Sequence, residues 1–334
     1  MSFILKHLTT DKAFIPFDPT TDIPSLQGKV ILVTGGNNGL GKQSICEFAR
    51  HRPKQIWLAA RNVAAAQKVV DEIHAALGPD ADADAGAGAA VRILVLELDL
   101  TSFASVKRAA QRFTTESDRL DILMLNAGIM AAAPAVTEDG YEVQFGTNHM
   151  GHALLTKLLL PTLQRSARDG ARDGDGADAR VVVLSSRAAH FLAPKQGICF
   201  GSLKTPAADM KPFERYGQSK LANVLFARQL AAHHPGLTVV SVHPGVVSTN
   251  LVNGMSGAPL VARLLSPVAN YCFTPVNQGA KNQLWASVAT SNIDSGAYYE
   301  PVGVPGKAGR LARNEDLAKE LWDWTENELG AWSL

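Results

Sequence analysis

The chain alternates between short apolar runs and longer helical patterns along most of its length. The runs are rich in Val, Ile and Leu, and they span 29–33, 56–60, 91–96, 122–125, 180–184 and 237–242. Near-continuous apolar runs of this length are typical of strands buried on both faces of a parallel sheet. Helical patterns fill the intervals at 41–51, 63–77, 102–117, 148–167 and 217–234. The alternation predicts an α/β fold with a doubly wound parallel sheet and helices on both faces.

The alternation crosses the middle of the chain without a linker. A length of 334 residues would allow two domains, but the continuity predicts one domain over 27–334, preceded by an N-terminal extension, 1–26. Two segments rich in Asp, Ala and Gly, 78–90 and 166–179, offer little to bury and are predicted to be mobile loops. A final helix is predicted over 314–329.

Composition excludes several classes of function. The formal net charge is +1, which gives no general attraction to nucleic acid or to anionic membranes. Three widely separated cysteines without a CxxC pair favour a reducing compartment, and we expect a cytoplasmic location. No run reaches the roughly 18 apolar residues of a transmembrane segment. His149 and His152 have no acidic or cysteine partner at a suitable spacing, so no metal site is predicted.

A glycine-rich sequence, VTGGNNGLGK, connects the first predicted strand to the first helix at 33–42. Gly35 would allow the tight turn, Gly39 the approach of a pyrophosphate, and Gly41 close packing of helix on strand. The N-terminus of the helix would offer free N–H groups and a partial positive charge to the phosphates. The other residues of this loop that we predict to contact a dinucleotide are Asn37, Asn38, Leu40 and Lys42.

The end of the second strand indicates which dinucleotide binds. An acidic residue there would bind the ribose 2′-hydroxyl of NAD, but this chain has Arg61. Its guanidinium can hold a 2′-phosphate through several donors and can stack on adenine. Lys42 is predicted to add a second cation. The predicted cofactor is therefore NADP(H).

The spacing GxxxGxG at 35–41 resembles the cofactor loop of the classical short-chain dehydrogenases/reductases. Four further motifs follow in the order found in that family: NAG at 126–128, two serines at 185–186, YGQSK at 216–220 and PG at 244–245. The resemblance covers roughly residues 27 to 310. It implies a Rossmann-type fold with an enlarged substrate lid.

The resemblance also implies further cofactor contacts. Asp99 and Leu100 would contact the adenine, Asn126 the adenosine ribose, Lys220 the nicotinamide ribose, and Thr249 would lie near the nicotinamide amide. The remaining positions at which it implies contacts are Ala127, Gly128, Tyr216, Pro244, Gly245 and Val247.

Reduction of a carbonyl by hydride transfer leaves negative charge on the oxygen, so a proton must be delivered there. Tyr216 is the predicted acid, and Lys220, four residues on, would share its helix face and lower its pKa together with an oxidised nicotinamide. Ser186 would stabilise the substrate oxygen by a hydrogen bond, with the adjacent Ser185 an open alternative. The resemblance implies that Asn148 completes a catalytic tetrad through a water-linked proton path; the alternative is that it caps its helix.

The interval from Ser186 to Tyr216 is long for this family. With the sequences SSRAAH, YGQSKLAN, HPGVVST and GAYYEPVG, it resembles the retinol-dehydrogenase-like branch, which includes the WW-domain oxidoreductases, although no WW domain is present. Apolar residues in 187–215 and 251–274 are predicted to cover the carboxyl ends of the strands. The expected substrate is an apolar carbonyl compound or alcohol, with aromatic and polycyclic compounds included.

Two other functions remain open on this fold. One is a sugar-nucleotide epimerase or dehydratase, whose usual GxxGxxG spacing is absent. The other is a catalytically silent nucleotide-binding protein, which would not need serine, tyrosine and lysine together. The family often dimerises, so a homodimer is an expectation that the resemblance carries.

Overall fold

A computed structural model describes residues 15–78, 91–172, 179–247, 256–257, 274–306 and 308–334. The predicted contact at Thr249, nearly all of the predicted loop 78–90 and most of the segment 251–274 lie outside these residues.

Within the described residues, eight strands form one sheet in the order β3-β2-β1-β4-β5-β6-β7-β8. The strands are β1 Val30–Thr34, β2 Gln55–Ala60, β3 Arg92–Glu97, β4 Ile122–Leu125, β5 Ala179–Leu184, β6 Leu237–Val242, β7 Tyr298–Glu300 and β8 Val304–Pro305. All neighbours pair in parallel except β7 and β8. The predicted doubly wound parallel sheet is confirmed, and its order reverses between β1 and β4.

The last two strands have no counterpart in the sequence prediction. β7 pairs in parallel with β6 through Ser241 and Tyr298, and β8 returns antiparallel to it. Strands of three and two residues are too short to give an apolar or alternating pattern. They form because the sheet edge at β6 offers unpaired backbone groups.

Helices cover both faces of the sheet. They are α1 Pro19–Asp22, α2 Gly39–Arg50, α3 Val63–Leu77, α4 Phe103–Glu116, α5 Val143–Phe145, α6 Gly151–Arg172, α7 Ala188–Phe191, α8 Pro212–His233, α9 Val276–Gly279, α10 Lys281–Val288, α11 Gly309–Ala312 and α12 Glu315–Glu328. A π-helical turn, Gly146–Met150, joins α5 to α6, and a 3₁₀ turn, Phe200–Ser202, precedes α8.

Two helix boundaries differ from the prediction in ways that matter for the site. α6 continues to Arg172, so the loop predicted from residue 166 was wrong over 166–172. Ser166 is buried there and accepts a hydrogen bond from the backbone N–H of Leu120, which anchors the last turns of the helix. α8 begins at Pro212 rather than at residue 217, because proline is well suited to the first turn of a helix. Tyr216 therefore lies inside the helix.

Strand side chains alternate between two cores, one on each face of the sheet. Leu32 of β1 belongs to the core beneath α4, α6, α8 and α12, whereas Val33 belongs to the core beneath α2, α3 and α10. The segment before β1 joins the second core through Phe17, Ile23 and Leu26. Among the described residues, no helix combines the length and the apolar character that crossing a bilayer requires.

The last helix braces the elements that carry the site. Trp324 of α12 contacts Phe145 at the start of the π-helical turn, with ring centroids 5.9 Å apart. Trp322 stacks on Phe226 of α8 at 5.7 Å. α12 thus holds α8 and the turn that leads into α6 against one another.

Candidate active site

A cavity of about 320 Å³ opens at the carboxyl ends of the parallel strands, where the strand order reverses. This is the place where open α/β sheets bind ligands. Its lining residues are Thr34, Gly35, Asn37, Asn38, Gly39, Leu40, Ala59, Ala60, Arg61, Leu98, Asp99, Leu100, Asn126, Ala127, Gly128, Ile129, Met130, Thr147, Leu184, Ser185, Tyr216, Lys220 and Pro244.

The glycine-rich loop forms one wall of the cavity. Gly35 and Gly39 have φ angles of +67° and +51°, which favour glycine. A Cβ at Gly41 would lie 2.4 Å from the carbonyl oxygen of Gly35, so only glycine lets α2 pack this closely on the turn. Asn38 is the N-cap of α2, and its side chain makes no capping hydrogen bond. The first N–H groups of α2 are therefore available to an anion, and the residues present fit a dinucleotide phosphate.

Hydrogen bonds behind the glycine-rich loop hold the ends of β1 and β4 together. The Asn126 side chain donates to the carbonyl oxygen of Thr34 at 2.8 Å, and the backbone N–H groups of Asn126 and Ala127 both donate to the Thr34 hydroxyl at 3.0 Å. Gln283 of α10 donates to the Ser44 hydroxyl at 2.7 Å and lies 3.4 Å from the Asn126 amide oxygen. Sequence reasoning missed Gln283, because no motif surrounds it.

The two histidines considered for metal binding are buried in the protein interior. His152 lies 2.9 Å from the Thr34 hydroxyl, and His149 lies 3.1 Å from the Thr325 hydroxyl. Burial lowers the pKa of each to about 3, so both rings are neutral. In the part of the chain that the structure describes, no group of three or more metal-ligating side chains exists. These histidines connect elements of the fold.

Of the two cations predicted to bind the 2′-phosphate, one lines the cavity. Arg61 is exposed at the end of β2 and lines the cavity. Lys42 forms an ion pair with Glu72 of α3 and is not part of the lining, and its role as a second cation stays a prediction. On the neighbouring wall, the Asp99 carboxylate accepts hydrogen bonds from the backbone N–H and the hydroxyl of Thr101.

Tyr216 and Lys220 lie one turn apart on α8, and both are buried. The Lys220 amine donates to the carbonyl oxygen of Leu184 at 3.0 Å and lies 5.8 Å from the centroid of the Tyr216 ring. Burial lowers the pKa of Lys220 to about 8. Burial also raises the pKa of Tyr216 to about 12, although a hydrogen bond with Ser186 opposes this rise. The expected lowering of the tyrosine pKa is thus not a property of the protein alone, because desolvation outweighs the hydrogen bond with Ser186.

The two adjacent serines have different surroundings. Ser185 is buried, and its hydroxyl donates to the carbonyl oxygen of Lys220 at 2.7 Å, tying β5 to α8. Ser186 is half-buried, bonds to Tyr216 and accepts from the backbone N–H of Ala188 at 3.2 Å. Ser186 is therefore the serine hydroxyl that faces the tyrosine.

Asn148 lies in the π-helical turn and does not cap a helix. Its side-chain amide donates to the Ser219 hydroxyl at 2.9 Å and to the carbonyl oxygen of Ile129 at 3.0 Å, and its oxygen accepts from the Ile129 N–H at 2.8 Å. A Cβ placed on Gly128 would lie 3.1 Å from the Asn148 oxygen and 3.4 Å from the Lys220 amine. Asn148 and Lys220 therefore approach the same point of the NAG turn.

The segment after Ser186 packs firmly on α8. Arg187 forms a two-armed ion pair with Glu300 of β7, with a nitrogen–oxygen distance of 3.0 Å for one arm. A Cβ on Gly217 would lie 2.5 Å from the backbone of Leu192, so the chain runs directly across the helix next to Tyr216. Leu192 and Phe191 remain 41% and 69% exposed.

Most of the predicted contacts line one cavity. The predicted residues in the lining are Gly35, Asn37, Asn38, Gly39, Leu40, Arg61, Asp99, Leu100, Asn126, Ala127, Gly128, Tyr216, Lys220 and Pro244. The described ones outside the lining are Gly41, Lys42, Asn148, Ser186, Gly245 and Val247. Val247 contacts the backbone of Gly279 and pairs with Thr274. The lining residues Ile129, Met130 and Thr147 were missed, because they flank the motifs without belonging to them.

Comparison with known proteins places this geometry in a family. The model for short chain dehydrogenases matches residues 29–258. A short-chain dehydrogenase/reductase of Aspergillus calidoustus, drtF, is 37% identical over 319 residues, covering 92% of this chain and 95% of that protein. Retinol dehydrogenase 12 of Mus musculus is 36% identical over 314 residues, covering 93% and 89%.

Solved structures show the same fold. An uncharacterized protein from Mycobacterium paratuberculosis superposes with a TM-score of 0.67 at 28% identity, covering 93% of this chain and 97% of that one. An NADPH-bound carbonyl reductase from chicken fatty liver gives a TM-score of 0.57 at 22% identity, covering 84% and 99%. The chain belongs to the short-chain dehydrogenase family of oxidoreductases, in its retinol-dehydrogenase-like branch.

Proposed function

We propose that this protein is an NADP(H)-dependent oxidoreductase that interconverts a carbonyl group and an alcohol on an apolar small molecule. The observation that carries the proposal is the convergence of Tyr216, Ser186 and Lys220 beside the cavity whose far wall holds the uncapped start of α2 and Arg61. The retinol dehydrogenases among the relatives support alcohol and carbonyl chemistry.

The nicotinamide, when bound, supplies or accepts a hydride. The Tyr216 hydroxyl donates the proton to the substrate oxygen, and the Ser186 hydroxyl donates a hydrogen bond to the same oxygen as its charge develops. Because the pKa of Tyr216 is about 12 in the protein alone, the tyrosine holds its proton at neutral pH. That state is the one required for carbonyl reduction.

Lys220 and Asn148 supply the return path for the proton. With a pKa of about 8, Lys220 can give up and regain a proton near neutral pH more readily than an exposed lysine. The Asn148 side chain approaches the same point of the NAG turn as the Lys220 amine. We assign Lys220 two roles, holding the nicotinamide ribose and passing protons, and Asn148 the role of ordering a water in that path.

Arg61 supports the choice of NADP(H). It is exposed at the end of β2 and lines the cavity, where its guanidinium would meet a 2′-phosphate. The apolar substrate class is supported by the exposed side chains of Phe191 and Leu192 in the segment that follows Ser186. The match to the short chain dehydrogenase model favours a reductase over the epimerase, and the presence of all four tetrad residues favours it over a silent protein.

The test is absorbance decay of NADPH at 340 nm with a panel of aliphatic, aromatic and polycyclic ketones and aldehydes, run in parallel with NADH. We expect turnover of apolar members with NADPH and much weaker turnover with NADH. Equal use of the two cofactors would refute the role of Arg61. No turnover of any carbonyl, with the corresponding alcohols and NADP⁺ also inert, would refute the proposed function.

A further inference from the structure

A completely buried ion pair lies next to the proposed catalytic residues. Arg215 directly precedes Tyr216 on α8, and Glu142 stands six residues before Asn148. Both side chains are 0% exposed, and their charged groups are 3.0 Å apart. Neither side chain lines the cavity, so the pair has no direct contact with a ligand there.

The Arg215 guanidinium joins three segments of the chain. One terminal nitrogen donates to a Glu142 carboxylate oxygen, and the other donates to the carbonyl oxygen of Ala132 at 2.9 Å. The second Glu142 oxygen accepts from the backbone N–H of Phe145 at 2.7 Å and caps α5, the short helix that leads into the π-helical turn. α8, the Asn148 turn and the loop after the NAG motif therefore meet at one side chain.

The loop that contains Ala132 is held from two sides. Ala131 is buried and has a φ of +48°, a strained value for a residue with a side chain. Arg215 binds the carbonyl oxygen of the next residue, and Asn148 binds both backbone groups of Ile129. Loop 129–132 is thus fixed by the residue preceding the tyrosine and by the asparagine of the tetrad.

Stability alone does not explain such a pair. Replacing a buried ion pair by well-packed apolar residues is often neutral or stabilising, because two charges lose their hydration. Burial raises the pKa of the Glu142 carboxyl, and the backbone N–H groups and Arg215 oppose that rise. The guanidinium Nε has no hydrogen-bond partner among the described residues, which adds to the cost. What the pair does provide is a fixed relative position of its three segments.

We propose that Arg215 and Glu142 are positioning residues, which set the hydroxyl of Tyr216 in register with Ser186 and Asn148. This inference rests on the proposed function. Displacements of about 1 Å in a catalytic group can lower turnover about a hundredfold. Loss of the pair should therefore reduce kcat while leaving intact the phosphate-binding part of the NADPH site, formed by Arg61 and the start of α2.

The test uses the full chain and the double variant Glu142→Gln/Arg215→Met, which leaves no unpaired buried charge. Arg215→Lys is the conservative variant, because it keeps the charge and loses the fork. Asp121→Asn is the matched control: Asp121 is a buried partner of Arg119 and Lys29 at the opposite end of β4. The kcat, carbonyl KM, NADPH Kd and melting temperature are measured for each variant. The crystal structure of the double variant is also determined.

We expect the double variant to lose at least tenfold in kcat, with the NADPH Kd and carbonyl KM within threefold of the wild type. The kcat of Arg215→Lys should lie between those of the wild type and the double variant. Asp121→Asn should keep the wild-type kcat despite a lower melting temperature. The crystal structure should show the Tyr216 hydroxyl displaced from Ser186. Three results would each overturn the inference: unchanged kcat and Tyr216 position in the double variant, a parallel loss of NADPH binding, or failure of the double variant to fold. A wild type without turnover would refute the proposed function, and the crystallographic comparison would still decide the inference.

Discussion

Tyr216→Phe is the sharpest perturbation of the proposed mechanism, because it removes one hydroxyl and keeps the buried ring. The lost hydrogen bond to Ser186 is worth about 1 kcal/mol. Ser186 keeps its hydrogen bond from the backbone of Ala188. In a chain of this size such a loss lowers the melting temperature by only about 1–2 °C. The variant should therefore fold and be available for kinetic measurement.

The kinetic effect should be far larger than the effect on stability. General acid catalysis contributes roughly 10²–10⁴-fold, equivalent to about 3–5 kcal/mol of activation free energy. We expect kcat for carbonyl reduction to fall by at least about a hundredfold. NADPH affinity should change by no more than a few-fold, because Arg61 and the start of α2 lie at the other end of the cavity.

The assay combines NADPH absorbance decay for turnover with NADPH fluorescence for binding. Lys220→Met provides the contrast, because we assign that side chain a role in binding as well as in proton transfer. It should damage both turnover and NADPH affinity. A Tyr216→Phe enzyme with more than about a third of the wild-type kcat would refute Tyr216 as the acid. Equal losses of NADPH affinity in the two variants would refute the division of roles.

Three further substitutions test other parts of the site. Arg61→Asp should weaken NADPH binding on the order of 30-fold or more and leave NADH binding nearly unchanged, since a contact with the 2′-phosphate becomes a repulsion. Fluorescence titration with both cofactors measures the two affinities, and equal weakening of both would contradict the prediction. Gly41→Ala should reduce NADPH affinity and melting temperature together, because its Cβ would lie 2.4 Å from the Gly35 oxygen, whereas Gly201→Ala, with open space around it, should do neither. Phe191→Ala should change kcat/KM ratios between carbonyl substrates by about tenfold without affecting NADPH affinity; a comparable change in NADPH Kd would remove this segment from the substrate side.

Features that depend on local sequence could be predicted well. Buried parallel strands need apolar residues on both faces, so the runs at 122–125 and 237–242 match β4 and β6. Val63–Leu77 is helical as predicted, and Asn62 caps it by accepting from the Ala65 N–H. Tyr216 and Lys220 share a helix face because four residues make about one turn. Each of these features requires only neighbouring residues.

Features that depend on distant partners could not be predicted from pattern. Lys42 pairs with Glu72 because the fold brings that carboxylate, on the next helix, beside it. Gln283 supports Asn126 from a helix more than 150 residues away in sequence. The short strand β7 exists because β6 presents an open edge. No fixed separation in the sequence identifies these partners, since they become adjacent only when the chain folds.

The electrostatics of the site arise in the same way, from burial that only the folded chain provides. The spacing predicts that Lys220, together with an oxidised nicotinamide, lowers the pKa of Tyr216. In the folded protein, burial moves the pKa of the tyrosine up to about 12 and that of the lysine down to about 8, so both shifts favour the neutral forms. The tyrosine therefore keeps its proton while the lysine becomes a group that exchanges one near neutral pH. Because Tyr216 is protonated in the protein alone, the site is set for proton donation, and removal of that proton for alcohol oxidation needs an added positive charge close to the hydroxyl.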